Sequence, residues 1–363
     1  MRTIWVHPQD STCIQVIDQR FLPHELVVKD LFTVTDVAQA IKEMWVRGAP
    51  LIGVSAAYGI YLAVLKMPKA VNPHSYLQEQ ANMLKQTRPT AINLMWAIDQ
   101  MVNHLTTYPT SEWVRESLHL AGKLAEDDVI TCYNIGLNGL TLLRQLYQNL
   151  QRPINILTHC NAGWLGCVDY GTATAPMYLA HDEGIPIHVW VDETRPRNQG
   201  ANLTAWELGQ HGIAHTLIVD NVGGLLMLKG MVDICIVGSD RTTITGDVAN
   251  KIGTYLKALS AKDNNIPFYV ALPSSTFDWS LTDGVAEIPI EERNEDEVHY
   301  VYGTDNGVWG KVRISPITSK ALNYGFDVTP SRLVTGLITE RGICNANEDS
   351  ILNLFPERKN KSR

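Results

Sequence analysis

The chain has few cysteines and arranges them in no motif. The six, at positions 13, 132, 160, 167, 235 and 344, form no Cys-x-x-Cys pair and keep no regular spacing. This excludes a zinc knuckle and a disulfide framework and fits the reduced thiols of a cytoplasmic protein. No Gly-x-x-x-x-Gly-Lys loop and no Gly-x-Gly-x-x-Gly fingerprint occurs, so no nucleotide or other cofactor is expected, and no metal. Positive charge is scarce: 30 Lys and Arg against 38 Asp and Glu leave a formal charge of -8, with a basic cluster only at 358–363, which argues against a nucleic-acid partner. The longest apolar run, 50–67, holds Gly53, Ser55, Gly59 and Lys66 and follows Arg47. It therefore reads as a buried helix and not as a membrane span. Signal-peptide, lipidation and repeat patterns are absent as well.

What remains is a large apolar inventory. With 363 residues and 45% hydrophobic content, the chain can bury two cores. Its first part opens with a short extended segment around Ile14-Gln15-Val16-Ile17 and continues with helical patterns over 36–45, capped by Thr35, and over 51–65, 76–85 and 91–105. A longer pattern over 111–148 is interrupted near Gly136 and Gly139. From Pro153 the period changes to short β-branched runs at 154–157, 187–191, 216–219, 234–237 and 268–271, separated by helices, the signature of a parallel sheet covered on both faces. The expected fold is α/β: a mainly helical N-terminal domain over 1–150, with a small extended segment, and a Rossmann-like domain over 151–363.

Two stretches concentrate the polar chemistry, and each leaves a predicted strand. Thr158-His159-Cys160-Asn161-Ala162-Gly163 follows the first, and Gly238-Ser239-Asp240-Arg241 follows the fourth. Loops at the carboxyl ends of an open parallel sheet face one crevice, so a distant thiol and carboxyl can meet over one ligand. Cys160 sits in a glycine-bearing loop beside His159, whereas Cys235, inside its strand, reads as a small core residue. His159 has no visible third partner and is placed behind the site. Asp240 either caps a loop, pairs with Arg241 or acts as an acid.

Anion-binding patterns surround these two. Gly246 to Gly253 reads as the entrance of a helix at which Asn250 and Lys251 would hold a phosphate or sugar hydroxyls. Arg47 with the Gly48 and Ala49 amides, at another helix start, reads the same way. The loop from Asp192 to Gly200 brings Arg195, Arg197 and Gln199 together, a set suited to a polyoxygenated ligand, although Asp192 and Glu193 can also neutralise the arginines.

Taken together, these motifs resemble the family that methylthioribose-1-phosphate isomerases share with regulatory subunits of the eukaryotic translation-initiation exchange factor. The resemblance runs over nearly the whole chain. It is carried by Val46-Arg47-Gly48-Ala49-Pro50, Arg88-Pro89-Thr90-Ala91-Ile92-Asn93-Leu94, the stretches just described, Ile288-Pro289-Ile290-Glu291-Glu292-Arg293 and Phe326-Asp327-Val328-Thr329-Pro330. It implies a homodimer with Cys160 and Asp240 as the catalytic pair and Arg47, Gly48, Ala49, Arg88, Gln199, Asn250 and Lys251 on a sugar phosphate. The implied reaction is the isomerisation of 5-methylthioribose 1-phosphate to 5-methylthioribulose 1-phosphate in methionine salvage. A relative acting on ribose 1,5-bisphosphate or 5-deoxyribose 1-phosphate, or a non-catalytic regulatory subunit, is the alternative. Departures from the family pattern fall at Trp164 to Val168, Asn202, Ser239, Thr242 to Thr245 and Asn323-Tyr324-Gly325.

Two routes would move hydrogen between C2 and C1. Cys160 as thiolate removes and returns a proton, which a flexible loop favours, or a hydride shifts directly in a dry cavity that Cys160 helps to form.

Overall fold

The computed structural model describes residues 2–88 and 91–359. Pro89 and Thr90 of the second motif and the end of the basic cluster lie outside them. Strands β1 (Ile4–His7), β2 (Asp10–Ile17) and β3 (Val28–Leu31) form a small antiparallel sheet. Helix α1 (Val34–Lys42) begins earlier than its pattern, because Thr33 and not Thr35 caps it: the Thr33 hydroxyl accepts from the Asp36 amide while the Asp36 carboxylate accepts from the Thr33 amide. Such reciprocal capping satisfies two amides that the first turn would otherwise leave unpaired.

Helix α2 (Ala49–Leu65) is buried at every residue from Leu51 to Val64. A helix apolar all round must be surrounded, and α1, α3 (Pro73–Lys85), α4 (Ile92–Leu105) and α5 (Trp113–Leu150) pack about it. Helix α5 runs unbroken through Gly136 and Gly139, where an interruption was expected. These glycines serve packing instead: they admit α6 (Ala175–Asp182), since a Cβ at Gly136 would lie 2.8 Å from Leu179 and one at Gly139 would overlap the Pro176 ring.

The large sheet starts with β4 (Ile154–Thr158). From there the chain winds outward through α6, β5 (Ile187–Asp192), α7 (Ala205–Gln210) and β6 (His215–Ile218), then returns by α8 (Val222–Leu228) to β7 (Ile234–Val237) on the other side of β4. After β7 come β8 (Arg241–Thr243), β9 (Val248–Lys251), α9 (Thr254–Asp263), β10 (Phe268–Ala271), β11 (Phe277–Asp278), the hairpin β12 (Tyr300–Asp305) and β13 (Val308–Arg313), β14 (Phe326–Thr329), β15 (Gly336–Thr339) and β16 (Gly342–Cys344). The sheet order is β16-β15-β10-β7-β4-β5-β6, parallel except for β16. This is the doubly wound order, with its reversal between β4 and β7, and the five predicted strands lie within it.

The segment 246–253 corrects its sequence reading. Val248–Lys251 is a strand, hydrogen-bonded to β8 on one side and β14 on the other, and α9 starts only at Thr254, after Gly253 with φ 103°. Burial of all four strand residues, Val248 to Lys251, explains the difference, because a helix entrance would have left them partly in water.

Gly139→Ala is expected to lower stability by roughly 1–3 kcal/mol in denaturant titration, because overlap with Pro176 outweighs the better helix propensity of alanine. Gly122→Ala on the same helix, where a Cβ meets nothing within 4 Å, is expected to gain up to about 1 kcal/mol.

Candidate active site

Because β4 and β7 are neighbours, the loops that leave them pack together: a Cβ on Gly238 would lie 2.5 Å from Ala162. Cys160 and Asp240 line one cavity with Met44, Arg47, Gly48, Ala49, Ile52, Arg88, Gln199, Lys251 and Phe326. The cavity is small, about 70 Å³, and shares Met44, Arg47 and Gln199 with a wider one of about 430 Å³ walled by Phe21, Tyr300, Tyr302 and Trp309.

Cys160 has a left-handed backbone, φ 67°, which costs a non-glycine residue about 1–2 kcal/mol. Two threonines hold it there: the Cys160 amide donates to Thr194 Oγ1 at 2.9 Å, and its carbonyl accepts from the Thr204 hydroxyl at 2.7 Å. The loop is therefore clamped, not flexible. The next residue, Asn161, accepts the Arg47 guanidinium on both its side-chain and its backbone oxygen. Gly48, at φ 93°, lies so close to the same loop that a Cβ would overlap the Gly166 carbonyl. The start of α2 thereby reaches the cavity with its positive dipole end.

The other cations enter from elsewhere. Lys251, on β9, donates to the Gly325 carbonyl at 2.9 Å and lies 4.7 Å from the centre of the Phe326 ring. Arg88 pairs loosely with Glu291 at 3.4 Å, and its Nε is buried without a protein partner. Gln199 is likewise buried with an unpaired Oε1. Unsatisfied polar atoms of this kind on a cavity wall mark places that a ligand would fill.

Burial moves Asp240, Cys160, Lys251 and Arg88 each in the direction of neutrality. It raises the Asp240 acid above the usual carboxylate range against the pull of Lys251, Arg47 and Arg88, and raises the Cys160 thiol against Arg47 and Lys251. It lowers Lys251 and Arg88. Arg241 turns to Asp278, 3.7 Å away.

Several expected contributors stand elsewhere. Asn250 alternates with Lys251 along β9, so its amide donates to Thr254 and it does not line the cavity. The amides at the start of α9 are taken by the protein's own Asp327, which accepts from Gly253 and Tyr255. Arg195 donates to the Pro196 and Val298 carbonyls and Arg197 pairs with Glu297, so Gln199 alone of that trio reaches the cavity. His159 stands behind the loop, 2.8 Å from both Asp192 and the Ile252 carbonyl. Of the unusual residues after Gly163, Trp164 packs on Trp206, and the Cys167 thiol faces Cys132 behind the loop. Asn161, Thr194 and Thr204 were not singled out as functional from sequence. Their roles depend on the left-handed turn at Cys160, which has no local signature.

Among the described residues, two groups have metal-ligating atoms within 4.8 Å of one another: Asp128, Cys132 and Cys167, and His159, Asp192 and Asp220. Neither lines the cavity. In the second, Lys257 already supplies a cation 3.2 Å from Asp192.

A doubly wound sheet with a thiol and a carboxylic acid beside cations at its switch point is an α/β architecture whose crevice suits a small anionic ligand. Residues 45–346 match the model of the initiation factor 2 subunit family, and the chain belongs to that family. A methylthioribose-1-phosphate isomerase of Rhizobium meliloti is 58% identical over 98% of each chain. The solved 5-methylthioribose 1-phosphate isomerase of Pyrococcus horikoshii superposes with a TM-score of 0.84 at 38% identity, over 98% of this chain and 96% of that one. A structure from A. fulgidus described as translation initiation factor eIF-2B, subunit delta, gives 0.81 at 39%, over 98% and 99%.

Replacing Arg47 or Arg88 with alanine is expected to weaken binding of a phosphomonoester by roughly 2–4 kcal/mol, read by calorimetry, as loss of a charge-assisted contact in a desolvated pocket requires. An unchanged dissociation constant would remove these residues from the anion site.

Proposed function

We propose that the chain is an intramolecular oxidoreductase that converts 5-methylthioribose 1-phosphate to 5-methylthioribulose 1-phosphate. The observation that carries this reading is the meeting of Cys160 and Asp240 on the wall of one cavity with Arg47, Arg88 and Lys251. The names of the most similar relatives support it. A non-catalytic subunit needs no buried acid and thiol facing a common cavity, so the pair weighs against that alternative. Apolar walls at Met44, Ile52, Ile288, Pro289 and Phe326 suit a methylthio group better than a second phosphate.

The phosphate on the anomeric oxygen prevents release of a free aldehyde, so the ring must open under acid. Asp240, whose acid desolvation raises above the usual carboxylate range, gives its proton to the ring oxygen as the bond to C1 breaks. C1 then carries cationic character. The hydrogen on C2 moves with its electron pair to C1, and the C2 hydroxyl returns a proton to Asp240 to leave the ketone. Nothing is consumed, and the acid is restored. This sequence calls on no cofactor.

The clamped Cys160 loop favours a hydride shift over the proton transfer preferred from sequence. Burial holds the Cys160 thiol up, and a phosphate dianion on Arg47 and Lys251 would cancel the cations that pull it down. Cys160 then serves as a neutral, water-excluding wall beside the migrating hydrogen.

We read the chain as two domains, 1–150 and 151–363, supported by one core around α2 and another on the large sheet, although Ile135, Leu140 and Leu143 of α5 pack into the sheet core. Homodimer formation is supported by the exposed Leu217, Val219, Leu225 and Leu228 along β6 and α8. A cytoplasmic setting is supported by the free cysteines, and no helix among the described residues is long and apolar enough to cross a membrane.

Purified protein is expected to turn over the methylthio sugar in preference to ribose 1,5-bisphosphate and 5-deoxyribose 1-phosphate; preference for the bisphosphate would overturn the substrate assignment. Cys160→Ser and Asp240→Asn should each stay folded and lose at least roughly 100-fold in turnover. Near wild-type rates in both would sink the pair's role. A deuterium label at C2 should be recovered at C1, with no solvent deuterium there; solvent label at C1 would restore proton transfer through Cys160.

A further inference from the structure

Glu207, on α7, is fully buried, and no step above uses it. Its side-chain bonds run to the Cys160 loop and to Tyr178 on α6. Oε1 accepts from the Asn161 amide at 3.1 Å and from the Leu165 backbone at 2.8 Å, and Oε2 accepts from the Tyr178 hydroxyl at 2.8 Å. A Cβ on Gly163 would overlap the carboxyl, so the loop backbone lies directly on it.

The consequence concerns the sense of one amide. Oε1 only accepts here, so Asn161 must turn its NH₂ toward Glu207 and its Oδ1 outward to the Arg47 guanidinium. Thr204 enforces the same sense: its hydroxyl proton goes to the Cys160 carbonyl, which leaves a lone pair for Asn161 Nδ2 at 3.1 Å. A reversed amide would set NH₂ against guanidinium, donor against donor. We infer that Glu207 is a positioning residue for the isomerisation, orienting the Asn161 amide and through it the Arg47 guanidinium and the Cys160 loop. Burial pushes its acid up to about 7, but a proton held on Oε2, toward Tyr178, leaves Oε1 accepting. The arrangement therefore works in either protonation state.

This inference rests on the proposed reaction, and the test separates the two. The wild type is first assayed for turnover of the methylthio sugar and for calorimetric binding of its ketose product; failure of both overturns the reaction and the inference with it. In an active protein, Glu207→Ala and Asn161→Ala are each expected to weaken product binding about 10- to 100-fold, as loss of a buried bond in a charged network requires. Because both act through one link, the double variant should be no weaker than the worse single one. Glu207→Gln, which keeps an acceptor for Asn161 and Leu165, should recover most of the loss. Should Glu207→Ala fail to fold, Glu207→Asp, which draws the acceptor back by one methylene, takes its place in the cycle. Multiplied losses, unchanged binding in the Glu207 variant, or no recovery with glutamine would each overturn the inference while leaving the reaction standing.

Discussion

Desolvation governs this site. An acid, a thiol, an ammonium and guanidinium groups share one small cavity, and removal of water disfavours the charged forms of Asp240, Cys160, Lys251 and Arg88. Mutual attraction between acid, thiol and cations opposes that drift. Much of the surrounding structure maintains this condition. Helix α2 must be apolar all round for its N-terminus to reach the cavity without admitting solvent, and Phe326 covers Lys251 where a polar side chain would hydrate it.

Precision in the same site is achieved at the backbone. The left-handed Cys160 and the crossing of Gly48 over Gly166 are conformations that relax unless the surroundings over-determine them. Thr194 and Thr204 do so from the segment between β5 and α7, and Glu207 from α7 itself. The cost of turning Cys160 toward the cavity is thus offset by hydrogen bonds from that one connection. Asp240 needs no such support, since its amide simply joins the Ala249 carbonyl at 2.9 Å in a strand-like turn.

How much of this was legible in sequence depended on whether the signal was local. The β-branched runs of the large sheet and the apolar stretch of α2 announce themselves by period, and the two polar loops are found because each follows such a run. Strand β9 reads otherwise in sequence because Gly246 and Gly253 punctuate it as they would a helix entrance, and, although β8 is close by, its other partner, β14 with Thr329, lies far along the chain. Arg195 and Arg197 looked like ligand-binding groups because Glu297 and the Val298 carbonyl, which take them up, lie about a hundred residues on. Asn250 and Lys251 are adjacent in sequence yet opposite in facing, as alternation along any strand dictates.

The family contains members named for an isomerase and members named for a translation factor, and fold similarity alone does not choose between them. What distinguishes the two uses of one scaffold is whether the crevice at the β4–β7 switch is worth closing. A surface that binds another protein gains from exposed, hydrated charge, and burying Lys251 and Arg88 would only weaken it. A sugar phosphate that must pass through a cation at C1 gains from the reverse, because water in the cavity would intercept that cation and release phosphate. Here the chain has taken the costly option, with Cys160 and Lys251 buried and Asp240, Arg47 and Arg88 only partly open to water, so the cavity itself points to chemistry on a small molecule.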